Sequence, residues 1–336
     1  MSISVGINGF GRIGRMVMRA GINHPDFQIM AINDLADAET LTYLFNYDSI
    51  HGRREPPAEV LNDSISVDGR LIPVTRVRDP EEINWSNSGV DLVIESTGVF
   101  SSRERAAGHL EGSAKKVIIA APAKDADATF VCGINEKSYD PQNHHVVSNA
   151  SCTTNALAPV AKVLNDEFGI LNGFMNTVHA YTSTQALLDI PSSNKLRGRA
   201  AALNIVPSST GAAIAVGMVL PELDGKLDGM SLRTPNPDGS IVDLTAVMER
   251  EASVEEINAA LERAAKEEMK GILKVTHEPL VSSDILGDPH SSIVDAGLTM
   301  ASGNLLKVLA WYDNEWGYAC RLIDLAVHIG RAPDLS

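Results

Sequence analysis

Ile3-Ser4-Val5-Gly6-Ile7 runs directly into Asn8-Gly9-Phe10-Gly11-Arg12-Ile13-Gly14. The first five residues are a short, mostly apolar run that reads as a strand. Ile13, Val17 and Ala20 then carry a helical period. The pattern G-x-G-x-x-G therefore lies at a strand-to-helix turn. Its first glycine permits the tight turn, the second lets a diphosphate approach the backbone, and the third lets helix and strand pack closely. By itself the motif is weak. A second apolar run, Phe27 to Ile32, follows and ends in Asn33-Asp34, about twenty residues beyond Gly14. A carboxylate at that strand end accepts hydrogen bonds from a ribose diol and repels a 2′-phosphate. Together these features predict dinucleotide binding by Gly9, Gly11 and Gly14, with Asp34 on the ribose.

Further along, residues 37–45 read as a short helix, 65–77 as a hairpin, and Arg78-Asp79-Pro80 as a turn. Residues 90–95 form an apolar strand ending in Ser96-Thr97-Gly98, and a helix is expected over 102–111. Segments 116–121 and 128–134 read as further strands, and 145–147 leads into Ser148-Asn149-Ala150-Ser151-Cys152-Thr153-Thr154-Asn155. Strands that end in small residues suit a crevice at the carboxyl edge of a doubly wound parallel sheet.

Leu157, Val160, Ala161 and Leu164 continue the cysteine segment as a helix, which puts Cys152 in its first turn. A helix N-terminus favours thiolate over thiol, and its amides can hold an oxyanion or a phosphate. A small buried cysteine beside an ordinary Ser/Thr cap is the competing reading.

The chain changes character after this point. A strand is expected over 173–181, then a long polar segment, 182–204, carrying Arg197 and Arg199. Pro207-Ser208-Ser209-Thr210-Gly211 precedes a helical stretch over 212–219 and is a second possible anion site, or a plain N-cap. Segments 230–233, 240–247, 279–286, 291–300 and 304–312 read as strands. Residues 254–269 read as an amphipathic helix with Ser253 and Glu256 as a capping box, and 314–329 as a terminal helix. This half reads as an antiparallel sheet with helices.

Bulk properties exclude some classes. A length of 336 residues suggests two domains. A net charge of −15 argues against nucleic acid or an anionic membrane as partner, while leaving room for a local anion pocket. Three cysteines without zinc spacing or even pairing favour a reducing compartment. With no signal-peptide pattern and no long apolar span, a cytoplasmic protein is expected.

The stretches INGFGRIGR (7–15), AINDL (31–35), YDSIHGR (47–53), ESTGVF (95–100), SNASCTTN (148–155), TVHAYTSTQ (177–185), PSSTGAA (207–213) and WYDNEWGY (311–318) occur in one order. In them the sequence resembles the phosphorylating glyceraldehyde-3-phosphate dehydrogenases of bacterial and plastid type, over nearly its whole length. The resemblance implies a Rossmann NAD-binding domain over 1–150, completed by the C-terminal helix 314–336. It implies an α+β catalytic domain with a mainly antiparallel sheet over 151–313. The implied reaction is oxidation of glyceraldehyde 3-phosphate with inorganic phosphate. Cys152 would be the nucleophile, passing through a thiohemiacetal and a thioester, and His179 the base.

The resemblance also implies Arg12 and Ile13 on the glycine loop, Arg78 near the adenine and Thr97 in the cofactor crevice. It implies Asn314 on the nicotinamide amide and Tyr318 packed on the ring. Ser151, Thr153, Thr210 and Gly211 would hold inorganic phosphate; Thr182 and Arg233, with Arg199 nearby, would hold the substrate's own phosphate. Asp34 together with Pro191 resembles the NAD-preferring members. No metal is implied. A homotetramer is implied, with the 182–204 loop near a neighbouring subunit's cofactor.

Three positions depart from the family pattern: Ala156 replaces the usual second cysteine, Ala120 a common hydroxyl residue, and Ala186 a common lysine. Residues i and i+4 share a helix face, so Ala156 removes a thiol neighbour of Cys152. The alternatives are a sibling enzyme acting on erythrose 4-phosphate, a paralogue with altered sensitivity to inhibitors or oxidants, and a member kept for a regulatory binding role. The intact HAYT run and the intact Cys152 and His179 speak against the first and the last.

Overall fold

The structure, a computed structural model, describes residues 2–332. It divides into two compact units. One comprises the chain to Phe130, Glu136–Ala150 and the residues from Ala319 onward; the other comprises Val131–Asn135 and Ser151–Tyr318.

The first unit contains β1 (Ile3–Asn8), α1 (Arg12–Gly21), β2 (Phe27–Asn33), α2 (Ala38–Asn46), β3 (Tyr47–Asp48), β4 (Gly52–Arg53), β5 (Glu59–Leu61), β6 (Ser64–Val67) and β7 (Arg70–Thr75). It continues with β8 (Leu92–Glu95), α3 (Arg103–Ala106), α4 (Gly108–Glu111), β9 (Lys116–Ile119), β10 (Ala128–Thr129) and β11 (Val146–Ser148). Nine strands form one sheet in the order β10-β11-β9-β8-β1-β2-β7-β6-β5. It is parallel from β10 through β7 and antiparallel at the β7-β6-β5 edge. Val5, Ile7, Ile32, Val93, Ile94 and Val117 are wholly buried, as expected of strands covered on both faces. Gly21 lets α1 lie on Phe27, since a Cβ there would sit 2.8 Å from its ring.

The second unit begins with α5 (Cys152–Phe168), β12 (Ile170–Ala180), β13 (Val206–Ser209), α6 (Ala212–Val219), β14 (Leu227–Thr234), β15 (Ser240–Met248) and α7 (Val254–Lys266). Then come β16 (Leu273–Thr276), β17 (Ser292–Asp295), β18 (Met300–Ser302), β19 (Leu305–Tyr312) and α8 (Trp316–Gly330), whose residues from Ala319 belong to the first unit. The sheet order is β13-β14-β12-β15-β19-β17-β16, with β18 beside β19. Only β12–β14 and β16–β17 are parallel pairs among the described residues, so the sheet is mainly antiparallel, as expected. Ser151 caps α5 by accepting from the Thr154 N–H, and the capping box of Ser253 and Glu256 closes the start of α7.

Local turn chemistry overrides the expected strands in several places. Segment 279–286 is a 3-10 turn (Ser282–Ile285), because Asp284 accepts the Val281 N–H at 2.8 Å. The strand expected over 128–134 stops at Thr129: the Asn135 side chain accepts the Val131 N–H at 2.9 Å and Gly133 adopts φ +83°. Segment 291–300 is interrupted by the turn Ala296–Leu298, which Asp295 caps. Helix 102–111 is two short helices, and α8 begins at Trp316 rather than 314, because Asp313 accepts the N–H groups of Glu315 and Trp316. Strands β5 and β16 were not expected. Residues 333–336 of the expected terminal segment lie outside the described residues. No helix among the described residues is long and apolar enough to cross a membrane.

Candidate active site

In the first unit a cleft of about 300 Å³ opens at the carboxyl ends of β1, β2 and β8; Gly9, Gly11, Asp34, Arg78 and Thr97 line it. β1 has β2 on one side and β8 on the other, so the cleft is a topological switch point. Gly9 has φ +88°, and a Cβ there would meet the Thr97 nitrogen at 2.6 Å. A Cβ on Gly14 would meet the Gly9 carbonyl oxygen at 2.2 Å. These two glycines serve the fold. Gly11 is different: a Cβ would meet no protein atom within 4 Å. Its bare backbone instead leaves the approach to the N-terminus of α1 open, where the first turn carries no acidic residue. A helix N-terminus with no acidic residue in its first turn suits a diphosphate.

Asp34 accepts the Phe10 N–H at 2.7 Å on one oxygen and the Ala36 N–H at 3.0 Å on the other. Each oxygen keeps a second acceptor site for a diol. Arg12 and Ile13 lie in the first turn of α1 rather than in the loop before it, and the Arg12 guanidinium is bound to Asp48 at 2.5 Å. What these two residues offer an anion is backbone N–H. The residues present thus fit a dinucleotide.

In the second unit, Cys152 opens α5 and its Sγ lies 3.5 Å from His179 Nε2, near the end of β12. The parallel register of β12 and β14 sets His179 directly beside Arg233. His179 Nδ1 lies 2.7 Å from the Ala180 carbonyl oxygen, and Arg233 Nη1 lies 2.8 Å from the same ring nitrogen. Arg233 Nη1 also donates to the Ala180 carbonyl oxygen at 3.0 Å. With that oxygen accepting both Nδ1–H and the guanidinium N–H, the Nε2 lone pair faces the sulfur. Burial pushes the Cys152 thiol up, against the pull of Arg233 and of hydrogen bonds from Thr153. Burial, then Arg233, lowers the His179 imidazolium to about 3. Desolvation thus opposes the help that the helix terminus gives the thiolate. Moving the proton from Sγ to Nε2 creates a neutral ion pair, which buries no net charge.

The anion residues are distributed around this pair. Ser151 Oγ is spent on the cap and on Thr154 Oγ1 at 2.8 Å. Thr153 Oγ1 is 2.9 Å from Tyr312 Oη, which is also 2.8 Å from Thr177 Oγ1. Thr210 accepts the Ala212 N–H at 3.1 Å, and Gly211 stands before α6 with open space where a Cβ would be. Thr182 pairs with Thr184 Oγ1 at 2.9 Å. Arg199 is exposed and bound to Asp189. Arg233 is lowered first by burial, against the Cys152 and Tyr312 charges, and last by Arg197, whose Nε donates to Ser208 Oγ at 3.0 Å.

Asn314 is buried, and its Oδ1 accepts from Ser240 Oγ at 2.6 Å, which fixes the orientation of its amide. Tyr318 is buried in the first turn of α8. Asp313, beside Asn314, is held well above the usual carboxylate range by burial and then by the Asp238 charge. Tyr312, Ser240 and Arg197 were not singled out as site residues from the sequence. Tyr312 lies within the stretch WYDNEWGY but was given no role there, and no motif marked Ser240.

Comparison with known proteins converges on one family. The model described as the NAD binding domain of glyceraldehyde 3-phosphate dehydrogenase matches residues 3–103, and that of its C-terminal domain matches residues 151–314. Glyceraldehyde-3-phosphate dehydrogenase of Geobacillus stearothermophilus is 56% identical over 330 residues, 98% of each chain. Glyceraldehyde-3-phosphate dehydrogenase 1 of Bacillus subtilis is 53% identical over 332 residues, 98% of this chain and 99% of its own. The enzyme of that name from Streptomyces coelicolor is 53% identical over 333 residues, with the same coverage. With its dinucleotide cleft and paired Cys152 and His179, the chain is an NAD-dependent oxidoreductase belonging to the glyceraldehyde 3-phosphate dehydrogenase family.

Proposed function

We propose that this protein oxidises D-glyceraldehyde 3-phosphate to 1,3-bisphosphoglycerate with NAD and inorganic phosphate, in glycolysis or gluconeogenesis. The observation that carries the reading is Cys152 Sγ at 3.5 Å from His179 Nε2, at the start of a helix and beside Arg233.

Cys152 transfers its proton to His179 Nε2, and the thiolate attacks the aldehyde carbon to form a thiohemiacetal; the imidazolium returns the proton to the new alkoxide. Bound NAD supplies the acceptor for the hydride that leaves this carbon. His179 takes the hydroxyl proton as the hydride departs, and the carbon becomes a thioester on Sγ. A phosphate oxygen then attacks the thioester carbon, Sγ leaves as thiolate, and the product is an acyl phosphate. N–H groups at the start of α5 stabilise the oxyanion of each addition.

In this reading Thr182 and Arg233, with Arg199, hold the substrate's phosphate, and Ser151, Thr153, Thr210 and Gly211 hold the attacking phosphate. The glycine loop takes the diphosphate of NAD on the backbone of Gly11, Arg12 and Ile13, with Gly9 and Gly14 shaping the turn that presents it. Asp34 holds the adenosine ribose, Arg78 and Thr97 flank the cleft, Asn314 holds the nicotinamide amide, and Tyr318 packs on the ring. The NAD-binding domain is 1–150 with 314–336, and the catalytic domain is 151–313. The working assembly is a homotetramer in the cytoplasm.

The test is NADH formation from glyceraldehyde 3-phosphate, with and without inorganic phosphate, repeated with NADP and with Cys152→Ser. Phosphate-dependent turnover that the mutation abolishes is expected. Turnover without phosphate, or turnover confined to a four-carbon sugar phosphate, would overturn the assignment.

A further inference from the structure

Behind the dinucleotide cleft runs a chain of buried polar side chains that the chemistry above does not use. Asn8, Asn33 and Thr97 line the cleft, and behind them Glu95 and His109 are 2% and 0% exposed. Asn8 Nδ2 donates to Glu95 Oε2 at 2.5 Å, and His109 Nε2 lies 3.0 Å from the same oxygen. Glu95 Oε1 accepts the Thr97 N–H at 2.8 Å and the Thr97 hydroxyl. Trp85 Nε1 lies 3.2 Å from His109 Nδ1.

These contacts fix the protons. An indole N–H only donates, so His109 Nδ1 accepts and the ring proton sits on Nε2, where it donates to Glu95. His109 Nε2 and Asn8 Nδ2, 3.3 Å apart, are therefore two donors aimed at one oxygen. Each of these neighbours of Glu95 is a donor, which calls for an ionised carboxylate, and four donors offset the cost of burying its charge.

The network reaches both sides of the cleft. The Thr97 hydroxyl accepts the Val99 N–H at 3.1 Å, and the Thr97 backbone is the surface on which Gly9 rests. On the other side Asn8 Oδ1 accepts from Asn33 Nδ2 at 2.8 Å, and Asn33 Oδ1 accepts the Val77 N–H at 2.9 Å. One buried charge thus ties together the loops that follow β1, β2 and β8.

We propose that Glu95, oriented by His109 and Trp85, is the positioning residue of the dinucleotide cleft: it holds Thr97 against Gly9 and Asn8 against Asn33, so that the cleft is preformed for NAD. The proposal rests on NAD as the occupant of this cleft.

Glu95→Gln tests it. A glutamine offers one oxygen and one NH2 group, so its NH2 must face a donor on one side or the other. The Kd for NAD, by isothermal titration calorimetry, should rise about tenfold or more. The KM for glyceraldehyde 3-phosphate and kcat at saturating NAD should change less than about twofold, because uniform cofactor binding is what is lost. His109→Gln keeps an amide donor near the Nε2 position and should bind NAD almost as wild type does. His109→Leu removes that donor and should behave like Glu95→Gln. Folding of each variant is checked by circular dichroism and thermal melting. Lower melting temperatures with an unchanged Kd in both Glu95→Gln and His109→Leu would reduce the network to packing and overturn the proposal. If Glu95→Gln does not fold, the contrast between the two His109 variants decides the matter. A wild type that does not bind NAD overturns the cofactor reading and the proposal together, before any variant is compared.

Discussion

At the scale of single residues, burial sets the behaviour of the catalytic pair more strongly than any neighbour does. His179 is held neutral in the folded chain, with its imidazolium lowered to about 3 from 6.5, first by desolvation and then by Arg233. Between those values the unfolded chain binds a proton that the folded chain refuses, so stability rises with pH across this window. Acidification from pH 6.5 to 3 should therefore erode stability progressively, and His179→Asn should flatten that part of the curve in thermal melts taken across the range. The same variant should lose about 10²–10⁴ in kcat, since a positioned base is gone. Tyr312 gives a second prediction. Its hydroxyl, buried and kept protonated, bridges Thr153 and Thr177. Tyr312→Phe deprives two buried hydroxyls of a partner, a loss of about 1–3 kcal/mol by denaturant titration. These partners lie 159 and 135 residues from Tyr312 in sequence, so only the folded sheet reveals the link.

At the scale of elements, the glycine loop separates what the fold needs from what a ligand needs. Gly14→Ala drives a Cβ to 2.2 Å from the Gly9 carbonyl oxygen, so α1 must shift and the melting temperature should fall. Gly11→Ala meets no protein atom, and its φ of −71° suits alanine. It should therefore leave stability within about 0.5 kcal/mol of wild type, the usual range for a surface change away from special features, while weakening NAD binding. Equal melting curves with unequal NAD titrations would confirm the division; unchanged NAD affinity would show that nothing approaches this backbone. The loop could be read from sequence because its constraints are local: a tight turn, a close approach and a cap fall within six residues of chain. Cys152 at the head of α5 was legible for the same reason, through Ser151 and the apolar period that follows. Local reading failed where polar turn chemistry cut an apolar run, as at Asp284 and Asn135. It was also silent on the partnership of His179 with Arg233, which arises from the register of β12 and β14 across 54 residues. Family resemblance named those two residues. It gave no role to Glu95, which opens the stretch ESTGVF, or to His109, and their contacts have no signature in spacing.

At the scale of the whole molecule, the apolar surface is hard to reconcile with a free monomer. Leu187 and Leu203 are 79% and 78% exposed, and Leu188 and Ile205 stand out beside them in the segment before β13. A second apolar set, Phe174, Met230 and Met300, projects from strands of the second unit's sheet, with Phe174 75% exposed. Soluble monomers rarely leave such residues clustered in the open. Two separate apolar sets on one chain suit two different self-complementary interfaces, and two such interfaces generate a tetramer with dihedral symmetry. Light scattering on the purified protein should give a mass four times that of the chain. Leu188→Asp should lower that mass by breaking contacts made through the segment before β13, and Phe174→Asp should break those made through the sheet face. Each interface would bring a different pair of subunits together, so either variant alone should stop at dimers and the double variant should fall to monomers. If the 182–204 segment lies near a neighbour's cofactor, Leu188→Asp should also weaken NAD binding, whereas Phe174→Asp should not. A wild type that scatters as a monomer, or a Leu188→Asp variant that remains tetrameric, would remove this segment from any role in assembly.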